Sequence, residues 1–138
     1  MTPLGTLSFC AALLAAAPAG AADLTIHVDD VKAAGGTIQV ALYNSADTFM
    51  KTVAGLGKTA ATGQANMVVF KDLPAGEYAF ALFHDANSNE KLDKNMFGIP
   101  TEDYAFSNNA LGKMGLPTYD SARFTLPAAG ATVRVSLR

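Results

Sequence analysis

Charge is scarce in this sequence. Only 16% of its 138 residues are Asp, Glu, Lys or Arg while 50% are hydrophobic, a balance that excludes a disordered chain and supports one packed core. A basic surplus is also missing: ten Lys and Arg stand against twelve Asp and Glu, giving a net charge of −2, so the chain lacks the excess positive charge with which proteins hold nucleic-acid phosphates. There is one cysteine, Cys10, and there are two histidines, His27 and His84, far apart in sequence and too few for a zinc centre. No Walker-type phosphate loop, dinucleotide fingerprint or Gly-x-Ser-x-Gly elbow occurs. The apolar run Phe9 to Ala17 is far short of the ~18 residues that cross a bilayer.

That run belongs to a segment unlike the rest. Residues 1–22 carry no charged side chain, and the run is followed by Pro18 and then Ala19-Gly20-Ala21, the small-x-small pattern read by signal peptidases. Residues 1–21 are therefore expected to be a signal peptide and residues 22–138 a single domain, periplasmic or secreted. The segment departs from the usual pattern in having no Lys or Arg before the apolar run. Lipidation of Cys10 is the lesser reading, because bulky Phe9 precedes it and the apolar run follows it. The domain that remains has no cysteine, hence neither a disulfide nor a thiolate site.

Beyond Asp23 the apolar period is two. Leu24, Ile26 and Val28 alternate with polar residues, as do Ile38, Val40 and Leu42 after Gly35-Gly36, which predicts an antiparallel pair joined by that turn. Met67–Phe70 reads as a short strand. Glu77–Phe83 is apolar on both faces, Tyr78, Phe80 and Leu82 on one and Ala79, Ala81 and Phe83 on the other, so it should lie centrally. Arg123–Leu126 and Thr132–Leu137 supply two more strands around a Pro127–Gly130 turn, and Ser45 is placed to cap a short helix over Ala46–Val53. The pattern predicts an all-β fold, a small antiparallel β-sandwich (prealbumin- or immunoglobulin-like) of about seven strands with one long ordered loop over residues 84–122.

A loop of that length is usually functional or disordered, and this one is dense in oxygen ligands. With Asp85 as the first position, side-chain oxygens fall at the third (Asn87), fifth (Asn89) and ninth (Asp93), with the Lys91 carbonyl at the seventh. That spacing wraps a chain around a hard cation such as calcium. Glu90 stands where a calcium loop has glycine, Met96 stands where it has a bidentate glutamate, and Glu102 and Asp103 are the nearest acids able to replace the latter. The expected ion site is Asp85, Asn87, Asn89, Lys91, Asp93 and Glu102; the alternative is a set of Asx turns that bind no metal.

Other chemistry is thinner. His84 beside Asp85 offers half of an acid-base pair, with Ser107 as a nucleophile, yet neighbours on a strand point to opposite faces, and the simpler reading is a histidine anchoring the loop. The second half of the loop mixes Phe97, Tyr104, Phe106 and Tyr119 with Asn108, Asn109 and Thr118. Rings with amides suit a peptide or glycan, and equally a loop that buries its rings over the end of the sandwich. His84, Tyr104, Phe106, Asn108 and Asn109 are the ligand-binding candidates.

Several motifs together resemble a known family: Leu73-Pro74-Ala75-Gly76-x-Tyr78-Ala79, His84-Asp85-x-Asn87-x-Asn89-x-x-Leu92-Asp93-x-Asn95, Gly98-Ile99-Pro100-x-Glu102, Phe106-Ser107-Asn108-Asn109 and Gly115-x-Pro117. They are similar to the bacterial secreted proteins catalogued as domain of unknown function 2141. The resemblance covers essentially residues 22–138 and departs from the pattern at Glu90 and Ala105, where glycine would be expected. It implies a periplasmic or secreted domain with a transthyretin-like (prealbumin-like) sandwich and no established activity. The function expected is that of a cell-envelope binding or structural module for a protein, peptide or glycan, its long loop organised by a calcium-type ion. The alternatives are a hydrolase-type enzyme using His84, Asp85 and Glu102, or a carrier of a small apolar ligand, the latter by analogy of fold alone.

Overall fold

The computed structural model describes residues 21–138 apart from Met114; Cys10 and all but the last residue of the expected signal peptide lie outside the described residues. Eight strands form there: β1 (Ala21–Asp29), β2 (Thr37–Tyr43), β3 (Gly55–Ala60), β4 (Asn66–Pro74), β5 (Gly76–Asp85), β6 (Tyr104–Phe106), β7 (Phe124–Leu126) and β8 (Ala131–Ser136). One short helix, α1 (Tyr119–Ala122), begins at Thr118, whose side chain accepts from the Ser121 N–H. The strands make a sheet in the order β4-β1-β8 and a second in the order β3-β2-β5-β6, with β7 pairing the first residues of β5. These pairs are antiparallel except β1 with β8, which is parallel, so the three-stranded sheet is mixed.

Alternation in the strands builds the core. Leu24, Ile26 and Val28 of β1, Val68 and Phe70 of β4, and Val135 of β8 meet Ile38, Val40 and Leu42 of β2, Tyr78, Phe80 and Leu82 of β5, and Leu126 of β7 between the sheets. Each such side chain, fully buried, stabilises the fold by about 1.5–3 kcal/mol before ordering entropy is subtracted. The other face of β5 is covered at Ala79, which packs with Tyr119 and Ala122 of α1 against Phe49. The central strand is therefore apolar on both faces, as its sequence predicts. Tyr104 and Arg138 exchange backbone hydrogen bonds of 3.2 and 3.1 Å, which tie β6 to the chain end beyond β8 and close one side of the sandwich.

Several expectations are corrected. Leu24–Val28 and Ile38–Leu42 do not pair: β1 lies between β4 and β8, and β2 between β3 and β5, in opposite sheets. The connection from Asp29 to Thr37 is too long for a tight hairpin and carries the chain across the sandwich. Its glycines serve another need, because a Cβ on Gly36 (φ +67°) would collide with the Asp85 carbonyl oxygen and fall 2.8 Å from Ala86 Cα. No helix forms over Ala46–Val53. Ser45 Oγ does accept from the Thr48 N–H at 3.3 Å, but Met50 at φ +59° breaks the turn and Phe49 is drawn onto the rings of Tyr43, Phe106 and Tyr119. Finally, residues 84–122 are not irregular throughout: β5 runs through Asp85, and β6, a 3-10 turn at Ser107–Asn109 and α1 divide the remainder.

The Gly36 contact provides a direct test. Gly36→Ala forces a methyl group onto backbone atoms at a left-handed position, which should cost roughly 2 kcal/mol or more. Gly63→Ala meets no heavy atom within 4 Å and should be close to neutral; urea unfolding of both variants compares them.

Candidate functional site

The chain leaves the sheet at Asp85, the last residue of β5, which is completely buried and paired in register with Thr37. A buried carboxylate requires donors, and here they are local: Asn89 N–H donates to Oδ1 at 3.1 Å and Glu90 N–H to Oδ2 at 2.8 Å. These bonds fold residues 86–90 back over the strand end. Two residues take left-handed φ to make the bend, Ser88 at 56° and Glu90 at 61°. Glu90 thus occupies the conformation for which glycine is favoured, and its side chain points out to an exposed pair with Lys58 at 4.0 Å, too open to offset much.

Asp93 gathers the next layer. Its carboxylate accepts from Asn89 Nδ2 at 2.8 Å and from Asn87 Nδ2 at 2.5 Å, while Asn87 Oδ1 accepts from the Asn89 N–H and Asn89 Oδ1 from the Lys91 N–H. The Asn89 amide, and after it that of Asn87, holds the Asp93 carboxyl below the usual carboxylate range. Glu102 joins the two arms: its Oε2 accepts from Ala86 N–H and its Oε1 from Asp93 N–H, both at 2.9 Å. The Asp93 carbonyl in turn accepts from the N–H and hydroxyl of Thr101. Of the six expected ion ligands, Asp85, Asn87, Asn89, Asp93 and Glu102 therefore share one network, and Lys91 enters it through its backbone N–H.

Calcium takes about six to eight oxygens from carboxylates, amides and carbonyls. The arrangement here fits that demand in part. Asp85, Asn87 and Asn89 each have a side-chain oxygen braced by a backbone N–H, but the ends that Asn87 and Asn89 turn toward Asp93 are their Nδ2 donors, which do not ligate a cation. Charge is sparse, however: among the described residues no three His, Cys, Asp or Glu side chains converge as a metal group. Asp93 would be the principal anionic ligand, with Asp85 and Glu102 on the flanks.

The remaining candidates separate into two groups. His84 is buried, and its Nε2–H donates to the Gly35 carbonyl at 2.7 Å, anchoring the β1–β2 connection. Asn108 donates to the Arg123 carbonyl and Asn109 accepts from the Ser136 N–H, so both fasten the chain after β6 to its neighbours. Ser107 is buried, donating to the Ala122 carbonyl at 2.6 Å and accepting from the Phe80 N–H. Tyr104 and Phe106, by contrast, line a groove of about 1020 Å³ on the outer face of the five-stranded sheet. Its floor includes Gln39, Ala41, Ala81 and Phe83, and its walls include Leu56, Lys58, Leu92, Lys94, Pro100 and Leu116. The sequence signals the groove only as the outward set of two strands; its walls come from segments without periodicity.

A family profile described as "Uncharacterized protein conserved in bacteria (DUF2141)" matches residues 26–134. The chain belongs to that family. No curated protein and no solved structure matches it. Within this DUF2141 domain the matched residues take in both the Asp85–Glu102 network and the groove it walls.

The network is open to two tests. Glu90→Gly relieves a left-handed side chain and loses only an exposed ion pair, so it should raise stability by roughly 0.5–1 kcal/mol in urea unfolding. Asp93, whose folded-state pKa lies below its ordinary 3.8, contributes stability that is complete above that value and is lost as the pH falls below it through the lowered one. In buffer without divalent cations, amide exchange over residues 86–102 should rise on acidification through that window, and Asp93→Asn should flatten the rise.

Proposed function

We propose that this DUF2141 domain is an exported binding module of the bacterial cell envelope, periplasmic or secreted, whose residues 86–103 are organised by a calcium-type ion and form one wall of a ligand groove. The single observation that carries the reading is the convergence of Asp85, Asn87, Asn89, Asp93 and Glu102 into one hydrogen-bonded loop directly beside that groove. Asp93 and Asp85 would supply charge, Asn87, Asn89 and the Lys91 carbonyl would complete the shell, and Glu102 would close it. The ion's role is structural: it fixes the wall that, with Tyr104 and Phe106, faces whatever protein, peptide or glycan is bound. Export rests on the uncharged first 22 residues and the Ala19-Gly20-Ala21 pattern. The transthyretin-like reading of the sandwich rests on its two small sheets of short strands.

A binding role is favoured over acid-base catalysis because the groups that catalysis would use are already engaged. His84 Nε2, both Asp85 oxygens and both Glu102 oxygens bond to backbone groups, and His84 and Asp85 are buried. A carrier of a small apolar ligand uses the same groove and differs only in what fills it.

Calorimetric calcium titration of the chelator-treated protein, with thermal melting in parallel, tests the ion. With so few anionic ligands the expected dissociation constant is on the order of 10⁻⁴–10⁻³ M, with a rise in melting temperature that Asp93→Ala abolishes. Absence of saturable binding up to about 20 mM calcium, with melting unchanged, would sink the ion and leave the Asx-turn network as the organiser of the wall.

A further inference from the structure

Four aromatic rings meet where the connection from β2 to β3 covers part of the five-stranded sheet. Phe49 is at their centre, edge-on to Tyr43, Tyr119 and Phe106 with ring centroids 5.3, 5.8 and 6.5 Å away. Ala79 and Ala122 complete the cluster. Tyr43 and Phe106 also line the groove, so the space that Phe49 fills adjoins it.

Three features set Phe49 apart from an ordinary core residue. The segment that carries it is lightly held: Asn44, Ala46, Asp47 and residues 50–54 are exposed, and among the described residues the hydrogen bonds made by residues 45–52 stay within the segment, Ser45 with Thr48 and the Thr48 carbonyl with the Lys51 and Thr52 N–H groups. Met50, next in the chain, takes a left-handed φ of 59°, which L side chains adopt at a cost. Tyr119, one wall of the cluster, is only 8% exposed, and its buried hydroxyl has no hydrogen-bond partner. A phenol enclosed in this way is destabilising, and the hydrocarbon ring of Phe49 cannot relieve it.

We propose that the space occupied by Phe49 is a subsite of the groove for a phenolic ring, free or as a tyrosine side chain, and that residues 44–54 form the strap whose Phe49 plug the ligand displaces. The ring already there shows what fits, a flat aromatic that meets three others edge to face. Because Phe49 is tethered, it competes at an effective concentration on the order of millimolar, so a plain hydrocarbon ring gains too little to replace it. A ring bearing a hydroxyl supplies what Phe49 lacks, a partner for Tyr119 Oη. Displacement also releases Met50 from its left-handed conformation, and it breaks few bonds to the rest of the fold. The subsite presupposes the ligand groove but not the ion, since none of its residues belongs to the Asp85–Glu102 network.

Calorimetric titration of the full chain with p-cresol, toluene and N-acetyl-tyrosine amide tests the subsite, with amide exchange read in parallel. p-Cresol should bind the unaltered protein and speed exchange at Lys51 and Thr52, while exchange at Phe80 in the core stays unchanged. Tyr119→Phe should weaken p-cresol about fivefold, the loss of one hydrogen bond, and leave toluene unchanged. Phe49→Ala removes the plug and should tighten p-cresol about tenfold; Phe49→Leu, which keeps an apolar side chain but not the ring, should do so to a smaller extent if the alanine variant fails to fold. Given that result, tighter binding of the tyrosine amide than of p-cresol identifies a peptide as the source of the ring, and the reverse identifies a free phenol. No p-cresol binding to the unaltered protein up to about 20 mM overturns the proposal even if Phe49→Ala binds it, because an emptied apolar site takes up small aromatics on its own account. Equal loss of toluene and p-cresol in Tyr119→Phe overturns the phenolic preference. Binding that leaves exchange at Lys51 and Thr52 unchanged overturns displacement of the strap while leaving the groove itself as a binding site.

Discussion

A carboxylate leaves water only if other groups solvate it, and Asp85 is fully enclosed at the end of the central strand. That constraint organises the chain downstream. The sheet has already used backbone groups of β5 in pairing β2 and β6, so the donors come from the residues immediately after the strand, at Asn89 and Glu90. Folding back so sharply demands two left-handed residues and leaves no room for a side chain at Gly36 on the neighbouring connection. One buried carboxylate thereby links the crossover between sheets, the last residue of β5 and the start of the groove wall.

From there the network extends by charge-assisted hydrogen bonds rather than by apolar packing. Glu102 holds the outgoing and returning arms together, and Asp93 draws in two asparagine amides. Such bonds are directional but each contributes modestly in contact with water. The wall therefore belongs to the less stable part of the molecule, while the core beneath it is closed. A ligand that binds only the ordered wall adds its binding free energy to that order, which is the physical sense in which an ion there would regulate the groove.

The strands of the core are legible in the sequence because their alternation is the packing: Leu24, Ile26, Val28, Ile38, Val40, Leu42 and the two-faced Glu77–Phe83 run all lie where their period requires. Which strands pair is not legible. Gly35-Gly36 carries a strong turn signal, yet the signal is the same whether glycine is needed for a hairpin or for close approach to Asp85. Strand β3 gives no alternating pattern because Gly55 and Gly57 occupy its inward positions; Phe70 and Val68 fill the space, and a Cβ on Gly57 would lie 2.9 Å from each. At the site, the spacing of Asp85, Asn87, Asn89 and Asp93 is readable because their bonds are local, whereas the groove is not, since its floor and walls come from segments distant in sequence.

The core is already filled by the alternating strands, and the turn at residues 96–99 lies outside it. Met96, Phe97 and Ile99 are therefore not spare core residues: four bonds centred on Asn95 hold them away from the groove instead of letting the turn collapse onto Leu56 and Leu116. Exposing them costs solvation free energy in the isolated molecule, and fixing them beforehand reduces the entropy lost when a partner covers them. Rigid exposure of this kind is favourable only where something apolar is met.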